Sequence, residues 1–143
     1  MEPAAVSGAT DGGGVSTEQI VLYALIALLV LLTIRRTLRM RALPRATAAE
    51  VAARLRENPK PLLLDVRTAG ERSVSTIPGS VHIPLHELGG RMDELKKHRD
   101  REIVVFCATG SRSASAALRL KKAGYSVSNL EGGMAEWKLH GRS

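Results

Sequence analysis

The chain is organised around one segment, Ile103-Val104-Val105-Phe106-Cys107-Ala108-Thr109-Gly110-Ser111-Arg112-Ser113. The four residues before Cys107, the only cysteine, are apolar and mostly β-branched, which predicts a buried strand, and residues 114–120 are typical of a helix. A strand, a small-residue turn and a helix N-terminus form a cradle for an anion, because the turn amides and the positive end of the helix dipole point inward. A thiol at its mouth is expected to have a lowered pKa and to act as a nucleophile.

Each residue of the loop has a predicted role. Cys107 is the predicted catalytic nucleophile: a strand-end cysteine can be merely a small buried hydrophobe, but Gly110 and Arg112 close behind it favour the anion cradle. Gly110 is expected to adopt a positive φ or to allow close approach of a ligand. Arg112 either binds an anionic donor or turns outward and ties the loop to the domain, and Ser113 either hydrogen-bonds the thiolate or caps the helix. The predicted substrate-binding residues are Ala108, Thr109, Gly110, Ser111, Arg112 and Ser113.

Four segments, in this order along the chain, carry a family resemblance. They are Leu62-Leu63-Leu64-Asp65-Val66-Arg67, with Glu71 shortly after; Ile77-Pro78-Gly79-Ser80-Val81-His82-Ile83-Pro84; the Cys-x-x-Gly-x-Arg loop of Cys107, Gly110 and Arg112; and Ala123-Gly124-Tyr125 followed by Leu130-Glu131-Gly132-Gly133 and Trp137. Over residues 46–140 the chain thus resembles the rhodanese-like sulfurtransferases.

The resemblance implies a sulfurtransferase that moves a sulfane sulfur from a donor, thiosulfate or a persulfide, through a persulfide on Cys107. The implied partners are a small sulfur donor and a thiol, a sulfur-accepting protein or another nucleophilic acceptor, and no cofactor is implied. Members that use thiosulfate well often have Arg or Lys after the cysteine, where this chain has Ala108. Weak use of thiosulfate is therefore expected.

Strands alternate with helices along residues 47–143, which predicts a mainly parallel α/β sheet with helices on both faces. Ligands of such sheets bind beyond the carboxyl ends of the strands. Cys107 follows one apolar strand, and Asp65 and Arg67 lie at the end of another, so both groups are expected at one edge of the sheet. Asp65 and Arg67 are predicted to support the site, with Glu71, as an ion-pair network that fixes the strand ends.

An uncharged tract of 15 residues, Ile20–Ile34, predicts a retained transmembrane helix over residues 17–36. A helix needs roughly 20 residues to cross a bilayer core, and the arginines that follow the tract can reach the interface to make up the difference. The tract lacks the polar face of a buried helix in a soluble protein. Its basic residues follow it rather than precede it, which is the reverse of a cleaved signal peptide.

Charge predicts the orientation of this helix. Residues 1–19 contain three acidic and no basic residues, whereas five arginines stand between residues 35 and 45. Since basic flanks stay on the cytoplasmic side, we expect the N-terminus outside, the following domain in the cytoplasm and the arginines near anionic membrane lipid. The predicted organisation is a disordered tail, a transmembrane helix, a basic linker and a rhodanese-like domain, over residues 1–16, 17–36, 37–46 and 47–143.

Composition and histidine spacing argue against two further classes of ligand. A net charge of +7 is also a feature of nucleic-acid-binding proteins, but the chain has one Phe, two Tyr and one Trp. It contains no recognisable DNA- or RNA-binding motif, so no nucleic-acid partner is predicted. The four histidines have no spacing that suits a metal site, and no metal is predicted.

Two alternative functions remain open. A phosphatase or arsenate reductase also uses a Cys–Arg anion loop, but the tyrosine-phosphatase type has one residue more than the four between Cys107 and Arg112. The shorter loop makes a smaller pocket, which suits a sulfur atom better than a tetrahedral phosphate. The second alternative is a non-catalytic rhodanese-like module that binds partners or regulates at the membrane, although such modules usually lose the cysteine.

Overall fold

The computed structural model of the protein describes residues 14–141. The predicted disordered tail, residues 1–16, therefore lies almost wholly outside the described residues. The chain divides between Thr37 and Leu38 into two compact units, an N-terminal unit and a larger C-terminal domain.

Helix α1, Thr17–Arg41, is longer than the uncharged tract that predicted it. Its apolar part, Thr17–Leu38, has 22 residues and a mean hydropathy of 2.1, and none of its strongest apolar window is buried. At a rise of about 1.5 Å per residue these residues extend roughly 33 Å, against ~30 Å for a bilayer core, with Glu18 near one end and Arg35 and Arg36 near the other. The helix continues through the arginines because arginine is itself a good helix former.

The C-terminal domain contains a five-stranded sheet in the order β1-β5-β4-β2-β3, and every pair is parallel. The strands are β1 Arg45–Ala46, β2 Leu62–Asp65, β3 Val81–His82, β4 Ile103–Phe106 and β5 Val127–Leu130. The predicted parallel α/β fold is confirmed. The expected linker, residues 37–46, is not irregular throughout: α1 continues to Arg41, and β1 joins the sheet because its edge pairs with β5.

Helices cover both faces of the sheet, as predicted. They are α2 Ala48–Arg54, α3 Ala69–Val74, α4 Leu88–Arg91, a 3₁₀ helix Met92–His98, α5 Ser111–Lys122 and α6 Gly133–His140. Strand β4 shows how one strand serves two cores, since successive side chains point to opposite faces. Ile103, Val105 and Cys107 pack in the cluster that contains α5 residues, while Val104 and Phe106 pack in the cluster that contains α6 residues.

Candidate active site

The cysteine loop and the end of β2 lie side by side at the carboxyl edge of the sheet. In the β2–β4 ladder, Asp65 pairs in register with Phe106, the residue before Cys107. The loop then leads directly into α5, which begins at Ser111. The predicted grouping of Cys107 with Asp65 and Arg67 at one edge therefore follows from the register of two neighbouring strands.

The sulfur of Cys107 is buried and receives hydrogen bonds from the loop that follows it. The backbone N–H of Gly110 lies 3.1 Å from Sγ, and the hydroxyl of Ser113 donates to Sγ at 3.3 Å. Burial raises the pKa of the Cys107 thiol, but hydrogen bonds from the Ser113 hydroxyl and from the N–H groups of Ser113, Thr109 and Gly110 outweigh it. The net result is a lowered pKa, which favours the nucleophilic thiolate.

The two open questions about Ser113 and Gly110 are answered by the same geometry. Ser113 contacts the sulfur, and the N-cap position of α5 is occupied by Gly110, which has no capping side chain. Gly110 adopts φ +102°, a left-handed backbone conformation that residues with a Cβ rarely adopt. The glycine therefore lets the chain turn so that its own N–H faces the sulfur.

Arg112 turns toward Glu71, and its guanidinium forms a two-pronged ion pair with that carboxylate. The N···O distances are 2.8 Å and 2.6 Å, and about a third of each side chain is exposed. The hydrogen bonds from Arg112 and from the Thr68 backbone lower the pKa of Glu71 to about 2. The pKa of Arg112 is raised, mainly by Glu71 and to a smaller extent by the charge of Cys107. Arg112 thus ties the loop to α3 while remaining within electrostatic reach of the sulfur.

Asp65 and Arg67 form a second, fully buried ion pair. Arg67 donates from Nη2 to Asp65 at 2.7 Å and from Nε at 3.0 Å, and the side chains are 4% and 0% exposed. Arg67 also donates to the carbonyl of Ser75 at 2.7 Å, just beyond α3. The Asp65–Arg67 pair therefore fixes the segment that contains Glu71. The guanidinium of Arg67 lies over the ring of Phe106 rather than in the loop.

Two glycines at the start of α6, Gly132 and Gly133, let the helix hold the loop through backbone hydrogen bonds, a contact that the sequence did not predict. Gly132 and Gly133 have φ values of +67° and +58°. The turn they make brings the N–H of Met134 to 2.8 Å from the carbonyl oxygen of Cys107 and the N–H of Ala135 to 3.1 Å from that of Ala108. A Cβ on Gly133 would lie 2.9 Å from the Ala108 carbonyl, so only glycine fits.

Asn129 on β5 is a further loop contact that the sequence analysis missed. Its Nδ2 donates to the carbonyl of Gly110 at 3.0 Å, and the residue is 6% exposed. The sequence signal was only a pair of polar residues, Ser128 and Asn129, between the apolar ends of a strand. Of the remaining predicted site residues, Thr109 and Ser111 are exposed and Ala108 is half-buried.

Fold and loop together define a class: a parallel α/β domain with one cysteine in an amide-lined loop at the carboxyl edge of its sheet. Residues 47–140 match the rhodanese-like domain, and the chain belongs to that family. A sulfurtransferase of Allochromatium vinosum is 38% identical over 92 residues, which are 64% of this chain and 84% of the relative. The putative sulfur carrier protein YrkF of Bacillus subtilis is 43% identical over 76 residues, or 52% of this chain and 40% of that protein.

Solved structures agree with the family assignment. A rhodanese-related protein from Thermoplasma volcanium superimposes with a TM-score of 0.63 at 31% identity, covering 70% of this chain and 95% of that one. A thiosulfate sulfurtransferase from Pseudomonas aeruginosa gives a TM-score of 0.65 at 32% identity, covering 72% of this chain and 20% of that one. The likeness concerns the C-terminal domain, since the matched family region begins at residue 47.

Proposed function

We propose that the protein is a membrane-anchored sulfurtransferase that carries a sulfane sulfur on Cys107 and passes it to a thiol or another nucleophile. Membership of the rhodanese-like family, which includes sulfurtransferases among the relatives of this chain, supports the reaction class. The observation that carries the proposal is the hydrogen bonding of the Cys107 sulfur by Gly110 and Ser113, because these donors stabilise an anionic sulfur.

In the first half-reaction the Cys107 thiolate attacks the outer sulfur of the donor. With a persulfide R–S–SH, a bond forms between Sγ and the outer sulfur, the S–S bond of the donor breaks, and R–S⁻ leaves with the bonding pair. With thiosulfate the leaving group is sulfite, and one proton is taken up if the product is written as Cys–S–SH. The sulfane sulfur keeps its oxidation state when its bond to the donor is replaced by a bond to Sγ. The step therefore needs no external oxidant.

In the second half-reaction the acceptor thiolate R′–S⁻ attacks the outer sulfur of the persulfide. The Sγ–S bond breaks, Cys107 recovers its thiolate, and R′–S–SH is released, so charge and atoms balance. The inward N–H groups of Thr109, Gly110 and Ser113 favour the thiolate as the leaving group, because they already lower its pKa. No general acid is required in either direction.

The mass of the protein tests the covalent step. After incubation with a persulfide donor, we expect the intact chain to gain the mass of one sulfur atom at Cys107 and to lose it on addition of a thiol. Cys107→Ser should show neither the adduct nor transfer above a few per cent of wild type. Absence of the adduct in wild type with every donor would favour the non-catalytic module instead.

The proposed preference for a persulfide over thiosulfate as donor rests on Ala108, since alanine gives the loop no second cationic side chain. We expect transfer from a persulfide to exceed transfer from thiosulfate. Ala108→Arg should lower the thiosulfate KM about tenfold, as a charge-assisted contact of roughly 1–3 kcal/mol allows. An unchanged KM would contradict the idea that the missing cation limits thiosulfate use.

The anchor and the cytoplasmic orientation are supported by the length and composition of Thr17–Leu38 and by the charges on either side of it. Cys107 is buried, so we suggest labelling a cysteine placed at exposed Leu139 in a Cys107→Ser background. An impermeant maleimide should label Leu139→Cys only after cells are permeabilised, and carbonate should not extract the protein. Labelling of intact cells would contradict the orientation, and extraction would contradict the anchor.

A further inference from the structure

The C-terminal end of α5 carries a group of cations that the sulfur chemistry does not use. Arg119, Lys121 and Lys122 are exposed and line a depression with a volume of about 540 Å³, together with Ala42 and Leu118. None of the described residues that line it is acidic. Arg119 and Lys122 form no ion pair within the part of the chain that the structure describes. The charge at this end of α5 is therefore available to an external anion.

The sequence around these cations contains no acidic residue. Between Glu102 and Glu131 there is no Asp or Glu, and α5 itself has four basic residues and none that is acidic. The other stretch that reaches the depression, which contains Ala42, is free of Asp and Glu from Glu18 to Glu50. A positive surface without neighbouring carboxylates attracts an extended anionic surface, such as a membrane with anionic headgroups.

A hydrogen bond joins the cations to the end of α1. Nζ of Lys121 donates to the carbonyl of Ala42 at 3.2 Å, and the N–H of Ala42 donates to the carbonyl of Leu38 at 3.1 Å. Leu38 is the last residue of the apolar segment Thr17–Leu38, so Ala42 lies about 6 Å beyond it at a rise of about 1.5 Å per residue. The headgroup layer on each side of a bilayer core is roughly 5–8 Å thick. Lys121 is therefore within reach of lipid phosphates if α1 spans the membrane.

The same cations lie at the amino edge of the sheet, where its strands begin. Helix α5 starts at the carboxyl edge after β4 and runs back toward the start of β5, so residues 119–122 are at the amino edge. Arg99 adds a cation there, since its Nη2 donates to the carbonyl of Ala123, just beyond α5, at 3.3 Å. The cysteine loop is at the opposite edge, so a ligand of these cations does not block Cys107.

We propose that Arg119, Lys121 and Lys122 bind the phosphate groups of anionic membrane lipid, so that the amino edge of the domain lies on the bilayer surface. The proposal rests on the membrane anchor proposed above and adds a lipid-binding surface on the folded domain. Lys121 has three N–H donors and uses one on Ala42, which leaves two for a phosphate. Docking by this edge leaves the cysteine loop open to substrates from the aqueous side.

Quenching of a fluorophore by lipid measures how closely the amino edge approaches the bilayer. The full-length chain, in a Cys107→Ser background, is labelled at Ser126→Cys, an exposed position just before β5. It is inserted into nanodiscs that contain a lipid spin-labelled at the headgroup, in phosphatidylcholine with or without phosphatidylglycerol. We expect stronger quenching with phosphatidylglycerol, and high salt should remove the difference because exposed charges are screened. A label at exposed His86→Cys, after β3 at the carboxyl edge, should be quenched weakly in both lipids.

Lys122 and Lys138 form a matched pair of exposed lysines. Lys122 belongs to the proposed surface, whereas Lys138 is on α6, in the helical layer on the other face of the sheet. The comparison is made at the salt concentration at which the wild-type quenching is half lost. Lys122→Gln should lower the ratio of docked to undocked domain about fivefold, the usual contribution of one cation near an anionic membrane. Arg119→Gln should act alike, and Lys138→Gln should leave the ratio near wild type.

The outcomes separate the lipid-binding surface from the anchor. Equal quenching of labelled Ser126→Cys in the two lipid compositions would overturn the surface while the anchor stands. Equal losses of docking in Lys122→Gln and Lys138→Gln would overturn it as well, since net charge and not this surface would then determine docking. A full-length chain that enters neither kind of nanodisc would overturn the anchor, and this inference with it.

Discussion

Two ion pairs stand at the same edge of the sheet, and they differ in burial. Asp65–Arg67 is almost completely buried, whereas about a third of each side chain of Glu71–Arg112 remains exposed. The N···O distances, 2.7 Å and 2.6 Å, are nearly the same. Geometry therefore does not distinguish the pairs; their surroundings do, because the free energy of an ion pair depends on the solvent that each charge has lost.

The difference in burial predicts different roles for the two pairs, one in folding and one in positioning the loop. Removal of Asp65 leaves the buried guanidinium of Arg67 without a counter-charge and also takes the carboxylate from Arg72, 3.5 Å away, so Asp65–Arg67 is tied to folding. Water can replace either partner of Glu71–Arg112 at modest cost, so that pair can position the loop without deciding whether the domain folds. The following predictions test this division, beginning with the largest expected effect.

Asp65→Asn should destabilise the domain strongly. It leaves the buried guanidinium of Arg67 without a counter-charge, and breaking such a pair costs about 3–5 kcal/mol. Unfolding can be followed through the fluorescence of the single tryptophan, Trp137, which is buried in the domain core. Asp93→Asn is the control, since Asp93 pairs with Lys96 at the surface and should cost at most about 1 kcal/mol. Equal losses in the two variants would remove the distinction between buried and exposed pairs.

Gly133→Ala should come next in size, through the backbone contact that holds the loop rather than through charge. A Cβ there meets the carbonyls of Cys107 and Ala108 in a left-handed conformation, for which we expect a loss of about 1–3 kcal/mol and a greater loss of sulfur transfer. Gly89→Ala, in α4 with no atom within 4 Å of the added carbon, should leave stability and transfer near wild type. A wild-type rate of sulfur transfer in Gly133→Ala would show that the backbone contact of α6 does not position the loop.

The loop itself could be predicted from sequence because its signals are local. An apolar strand, Cys107, Gly110 and a helix follow one another within a few residues, and the helix dipole and amides need no distant partner to form a cradle. The sheet and its two helical layers followed for the same reason, since each strand and helix has its own pattern of apolar residues. The parallel order then places the ends of β2 and β4 together.

What the sequence did not reveal are contacts between distant residues. Glu71 and Arg112 are 41 positions apart, and no local pattern says that one faces the other. Asn129 donates to the Gly110 carbonyl, 19 positions away in the sequence. The backbone hydrogen bonds that follow Gly132 and Gly133 depend on how α6 packs. Strand β1 has only two residues, Arg45–Ala46, too few to show an alternating pattern, and is defined by its partner β5.

Ser113→Ala should have a smaller effect than Asp65→Asn or Gly133→Ala. It should change only the reactivity of the Cys107 sulfur. It removes the hydroxyl that donates to Sγ, so the pKa of Cys107 should rise and the rate of alkylation by iodoacetamide should fall at neutral pH. One lost hydrogen bond corresponds to a decrease of about two- to tenfold. Ser115→Ala, on the same helix, is the control and should leave the pH profile of alkylation unchanged. An unchanged profile in Ser113→Ala would assign the lowered pKa to the backbone amides.

Glu71→Gln has the smallest expected effect, and it tests the exposed pair directly. Stability should fall by no more than about 1 kcal/mol, because the pair is partly solvated, while transfer should fall about two- to threefold as Arg112 loses its fixed position. In wild type the pKa of Glu71 is lowered to about 2 from 4.5, so the pair stabilises the protein fully above pH 4.5. That contribution is lost as the pH falls toward 2, and Glu71→Gln should lack this part of the acid dependence. A loss of stability as large as that of Asp65→Asn would mean that Glu71 and Arg112 belong to the folding core after all, and the contrast between the two pairs would fail.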